Sequence, residues 1–148
     1  SAGEATSDVQ VLTDEEKHDS RPRESDLLWW KDTPQGESYG KAVAKVRGKE
    51  SLFQHARLHQ SRPAPTLSAN SHVFTHWSEC RKLTYREWKR LGSFPDDYHA
   101  KTDKIGKYMI GMSVPPKMTE QVARAVCEQW LNVNYSELSN DNQAQNPH

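Results

Sequence analysis

The sequence predicts a small mixed α/β fragment: about three helices toward the C-terminal end, preceded by short extended segments. Three observations carry that reading. Thr84 followed three residues later by Glu87 is a capping box, in which each side chain satisfies an orphan backbone N–H at a helix start. Met118, Val122, Val126 and Trp130 recur every four residues, the apolar stripe of an amphipathic helix. Pro63 and Pro65 exclude helix around them, which leaves extended chain ahead of the capping box.

In chain order, residues 1–26 are rich in Asp, Glu, Ser and Thr and read as an acidic, disordered tail. Order is expected to begin at Leu27, Leu28, Trp29 and Trp30, which need a partner surface. Residues 31–50 show no clear period and read as irregular, and residues 51–59 as a short helix or turn packing Leu52, Phe53 and Leu58. Thr66 and Leu67 suit a short strand, and residues 71–77 a second extended piece through Val73, Phe74 and Trp77. After the Thr84 cap, Trp88 and Leu91 share a helix face, and Gly92 is placed to end the helix in a left-handed conformation. Pro95 fixes a turn with Asp96 and Asp97. Thr102 or Asp103 caps a short helix through Met109, a Gly-Met-Ser-Val-Pro-Pro bend follows, and Pro115 and Pro116 open the last helix. Residues 134–148 are a polar tail.

At 148 residues the chain fits one domain, but only 34% of it is hydrophobic, so a modest core with loose ends is expected. The zero net charge conceals an asymmetry. Residues 1–39 hold 4 basic and 10 acidic side chains, residues 40–110 hold 14 and 6, and residues 111–148 hold 2 and 4. A basic middle is compatible with phosphate contacts and equally with a solvated surface. Two distant cysteines, Cys80 and Cys127, suit a reduced, cytoplasmic protein, and no apolar run approaches the ~18–20 residues of a membrane span. The chain starts at Ser-Ala-Gly, which fits a processed or tagged start or a piece of something longer. His55 and His59, like His72 and His76, are four apart, a spacing that puts two imidazoles on one helical face. No Cys-x-x-Cys or His-Glu-x-x-His accompanies them, so structural histidines are expected and no metal site.

Three blocks stand in a specific order. Arg57 and Leu58 lead into Pro63-Ala64-Pro65-Thr66-Leu67; Arg81-Lys82-Leu83-Thr84-Tyr85-Arg86-Glu87 leads to Phe94-Pro95-Asp96; and Gly111-Met112-Ser113-Val114-Pro115-Pro116 closes the series. The series, covering residues 57–131, resembles the C-terminal end of the DNA cytosine-5 methyltransferases. The resemblance implies a partial target-recognition region over residues 27–70, and C-terminal methyltransferase motifs with a closing helix over residues 71–133. It implies that the helices complete a Rossmann-like lobe absent from this chain, and that Gly111, Ser113 and Val114 line an S-adenosylmethionine pocket. Met112, counted with them in that pocket, stands where the family usually has Asn; its thioether suits packing against an apolar face of the pocket rather than the polar role usually given to that amide.

The family's Pro-Cys and Glu-Asn-Val motifs do not occur here, nor does its Gly-rich cofactor loop. Cys80, beside Arg81, and Cys127, in an apolar stripe, read as structural. The resemblance therefore implies that the attacking Cys and the assisting Glu come from another part of the parent or from another subunit. The chain alone is expected to be inactive, and double-stranded DNA is the expected partner. Candidate DNA contacts are Lys45, Arg47, Lys49, Arg57, Arg81 and Lys82, mostly as phosphate clamps, with Arg47 as a guanine reader. A non-catalytic DNA-binding or regulatory module derived from such an enzyme is the alternative, and a zinc-binding adaptor a third.

Overall fold

The computed structural model describes residues 1–9, 11–49, 55–69 and 74–131. The chain divides into two compact units, Ser1–Ser113 and Val114–His148. Among the described residues no helix is long and apolar enough to cross a membrane.

In the first unit, α1 (Ala2–Ala5), α2 (Asp14–Asp19) and α3 (Glu24–Trp29) are short helices. They occupy the segment whose composition reads as a disordered tail, and that expectation is corrected. Thr13 and Glu16 form a capping box, the N–H of Ala2 donates to Arg62 O at 2.8 Å, and Ala2, Val9, Ser20 and Asp26 are buried. Local caps and long-range backbone bonds here replace the large apolar side chains that the segment lacks.

Helix α4 (Tyr39–Arg47) lies in the stretch read as irregular. Ser38 Oγ accepts from the Gly40 N–H, and Gly48 closes the helix at φ 69. Tyr39, Ala42 and Val43 form its buried side. Strand β1 (Ala56–Arg57) pairs in parallel with β2 (Phe74–Thr75), with Ala56 opposite Phe74 and Arg57 opposite Thr75. Extended chain at residues 74–75 is as expected, but the described part of residues 51–59 is strand rather than helix, and residues 66–67 form no strand. Residues 51–54, residues 70–73 with His72, and the polar tail at 134–148 lie outside the described residues.

Helix α5 (Tyr85–Leu91) opens on the expected capping box: Glu87 N–H donates to Thr84 Oγ1 at 3.1 Å, and Thr84 N–H to Glu87 Oε2 at 2.8 Å. Its C-cap differs from expectation. Gly92 keeps φ −80, and the left-handed residue is Ser93 at φ 58. Gly92 is small for packing instead, since a Cβ there would stand 2.9 Å from Ile110 Cγ2. Helix α6 (Asp103–Met112) is capped by Thr102 and runs past Met109, so Gly111 and Met112 belong to its last turn rather than to a bend. The core joins Ala2, Leu58, Phe74, Trp77, Leu83, Trp88 and Ile110, with Trp88 fully buried and its ring 5.9 Å from Phe74.

The second unit is led by α7 (Pro116–Trp130), with Pro115 at its N-cap and Pro116 in its first turn. None of its residues is buried, and Met118, Val122, Val126 and Trp130 are all exposed, Trp130 at 81%.

Candidate functional site

The six cations proposed from sequence fall into two groups. Arg57 and Arg81 are consumed by the fold, which corrects their reading as phosphate clamps. The Arg57 guanidinium lies 3.7 Å above the Trp30 ring. Its Nε and Nη2 donate to Trp77 O at 2.8 and 2.6 Å, and Nη1 donates to Thr33 O at 3.1 Å. With a further bond from Nη1 to Trp30 O at 3.4 Å, Arg57 fastens β1 to the chain after α3 and to the segment after β2, a cation–π stack and four hydrogen bonds to three carbonyls from one planar fork.

Arg81 is only 9% exposed. Its Nη1 and Nη2 donate to the two oxygens of Glu87 at 2.8 Å each, and Nε to Glu79. Burial pushes the Glu87 carboxyl up, but the bonds from Arg81 and the charge beside it pull it lower still, so the net shift is downward. Glu87 is the capping residue of α5, turned into the core, and a buried carboxylate needs a partner. That requirement is what assigns Arg81 to the interior.

Lys45, Arg47 and Lys49 are exposed on α4 and just past its Gly48 cap. Lys82 is half-exposed, its backbone N–H held by Ser20 O at 2.8 Å.

The histidines separate as well. His55 Nδ1 lies 2.6 Å from Asp26 Oδ1, a fully buried carboxylate that also accepts from the Arg23 N–H at 2.8 Å. His59 Nδ1 accepts from the Ser61 N–H at 3.1 Å. Extended rather than helical backbone places these two rings apart in role. His76 is buried, with Nε2 3.7 Å from Glu87 Oε1, and burial first, then the Arg81 charge, lowers its pKa to about 4.

Gly111, Met112, Ser113 and Val114 are consecutive at the end of α6. A Cβ on Gly111 would lie 2.2 Å from Ser68 C and 2.4 Å from Ala69 N, so the chain's own backbone uses the space that the glycine leaves. Ser113 Oγ donates to Met109 O at 2.7 Å, which leaves its lone pairs able to accept. Met112, 66% exposed, continues an outer stripe of α6 with Ile105, Tyr108 and Met109, all exposed. The spacing of three, four and seven was legible in the sequence and passed over there.

Both cysteines are half-buried, and burial, with the nearby Asp26 charge, pushes the Cys80 thiol up, away from thiolate.

The family model described as C-5 cytosine-specific DNA methylase matches residues 4–128. The chain belongs to the C-5 cytosine-specific DNA methylase family. Among curated family relatives it is 39% identical over 93 residues to a putative type II methyltransferase, M.MJ0563P, of Methanocaldococcus jannaschii. It is 35% identical over 102 residues to the type II methyltransferase M.BbvI of Brevibacillus brevis. Those matches cover 62% and 66% of this chain but only 30% and 26% of the relatives, so the chain spans less than a third of their length. It is also 34% identical over 92 residues to the type II methyltransferase M.AquIB of Picosynechococcus, covering 53% of this chain and 66% of that relative. No solved structure matches this chain.

Proposed function

We propose that this C-5 cytosine-specific DNA methylase chain is the C-terminal, target-recognition side of a DNA cytosine-5 methyltransferase. It grips duplex DNA and supplies part of a pocket wall, while the attacking Cys and the assisting Glu come from a catalytic lobe outside these residues. The parent transfers a methyl group from S-adenosylmethionine to C5 of cytosine. When bound, that cofactor provides the electrophilic methyl carbon. Of the residues assigned to it, Ser113 and Val114 are exposed and suited to contact, whereas Gly111 acts through the Ser68 crossing and Met112 through apolar packing. Residues 27–70 are the target-recognition part and residues 71–133 the closing motifs. Lys45, Arg47, Lys49 and Lys82 remain the DNA contacts.

One observation carries the reading: two helices present apolar stripes to solvent. Ile105, Tyr108, Met109 and Met112 do so on α6, and Met118, Val122, Val126 and Trp130 on α7. An exposed apolar stripe on a helix, taken for each helix by itself, suits an interaction face. A Rossmann-like lobe, missing here and present in full-length family members, is the partner we assign.

The test is transfer of tritiated methyl to duplex DNA by the chain alone, and by the chain mixed with a lobe that carries the Pro-Cys and Glu-Asn-Val motifs. Turnover only in the mixture is expected. Robust turnover by the chain alone would overturn the reading.

A further inference from the structure

A cleft of about 310 Å³ opens between residues 32–38 and one side of α4, lined by Asp32, Gln35, Glu37, Lys41, Lys45 and Arg62 among others. Lys41 and Lys45 are one helical turn apart on α4, and Arg62 reaches the same space from a distant part of the chain. The walls are pinned rather than loose. Gly36 N–H donates to Arg57 O at 2.8 Å, Arg57 N–H to Glu37 O at 3.0 Å, and the Gln60 N–H to Gln35 Oε1 at 3.2 Å. The backbone of Arg62 is held on both sides: its N–H donates to His59 O, and its carbonyl accepts from Ala2 at 2.8 Å. Gly36, at φ 83, sits where a Cβ would come 3.4 Å from Arg62 Nη1, so the turn lets the guanidinium lie close over it.

The cations are not equivalent. Glu37 Oε2 lies 2.5 Å from Lys41 Nζ and neutralises it. Lys45 and Arg62 form no ion pair with the described residues, yet both are held in place by pinned backbone. Two cations without a salt bridge among the described residues, Arg62 feeling only the charge of Glu37, stand beside a parked third and suit an anion with several accepting oxygens that arrives from outside.

We propose that this cleft is a phosphodiester clamp for the DNA backbone, with Lys45 and Arg62 as its anion contacts and the Glu37–Lys41 pair as a built-in limit on its strength. The proposal rests on the reading that this chain carries the DNA grip, and it adds Arg62, Lys41 and Glu37 to that reading. A phosphate contact positions the protein without reading sequence, so the clamp sets affinity and register rather than base preference. Asp32 and Glu37 also border the cleft, and the Glu37 carboxylate feels the Arg62 charge as well as that of Lys41, so both acids temper the pull on an anion.

The test is duplex binding by the 148-residue chain at several salt concentrations, for wild type, Lys45→Gln, Arg62→Gln, the double variant and Glu37→Gln. Each phosphate contact contributes roughly one unit of log–log salt slope, so each single variant should lower the slope by about one and the double by about two. Glu37→Gln should tighten binding and steepen the slope. Relative affinities for different sequences should not change. All three side chains are at the surface, so unfolding midpoints serve as the folding control. Salt-dependent binding by wild type with an unaltered slope in the double variant would overturn the clamp and leave the DNA-grip reading standing. An absence of salt-dependent binding by wild type would overturn both.

Discussion

Arg81 and Glu87 face each other through two parallel hydrogen bonds of 2.8 Å, six residues apart and inside the protein. The pair is also the junction between the α5 cap, through the Thr84 N–H, and the segment before it, through Lys82 O. Removing one partner leaves the other charged and buried. Arg81→Ala should therefore cost about 3–5 kcal/mol, far more than loss of a surface ion pair. Urea unfolding measures it, and a loss within about 1 kcal/mol would show that the pair is solvated in solution.

Stability should fall in acid in two stages. His76 has a folded pKa of about 4, below its unfolded value, so the folded state binds fewer protons between the two. Its neutral form contributes stability that is fully present above about 6.5 and is lost as pH falls toward 4. The facing charges are Arg81, which disfavours the imidazolium, and Glu87 and Glu79, which favour it. Glu87 and Asp26, whose folded pKa values are depressed, lose their contribution only at lower pH, as the folded carboxylates take up protons. Urea midpoints measured from pH 7 to pH 4 should flatten in His76→Gln. An identical pH profile would refute the assignment.

Gly111→Ala should destabilise the protein, although alanine is ordinarily the better helix former. The propensity gain is at most about 1 kcal/mol. The added Cβ would collide with the backbone at Ser68 and Ala69, an overpacking cost of about 1–3 kcal/mol or more. Thermal unfolding by circular dichroism decides the sign.

The apolar stripes should carry association with the catalytic lobe. Met112→Ser and Trp130→Ser each remove an exposed apolar side chain. Each should weaken lobe binding by about tenfold or more while leaving the unfolding midpoint within about 0.5 kcal/mol of wild type. Calorimetric titration reads the first quantity and urea unfolding the second. Unchanged lobe affinity in both variants would remove the docking role.

The α5 box, the Thr102 cap, the Pro115–Pro116 start of α7 and its four-residue stripe were legible because each is a local signal, complete within one turn of helix. Ser38 and Gly48 around α4 were equally local signals and went unread, because the residues between them mix Gly, Lys and short apolar side chains. The short helices of residues 1–26 were illegible from composition, since backbone and ion-pair partners far along the chain hold them: Arg62 O for Ala2, and Arg86 for Glu16 at 2.9 Å.

By itself, the sequence determined the family, the order of the motifs, the helix starts and the absence of the family's Pro-Cys and Glu-Asn-Val motifs from these residues. Only the tertiary structure decided which cations are available. It sent Arg57 to Trp30 and Arg81 to Glu87, left Lys45 and Arg62 beside one cleft, and gave the space at Gly111 to Ser68. The physical reason is that a cap or a stripe is written in neighbours along the chain. The fate of a charge depends on which distant carboxylates, carbonyls and rings the fold brings within about 4 Å of it.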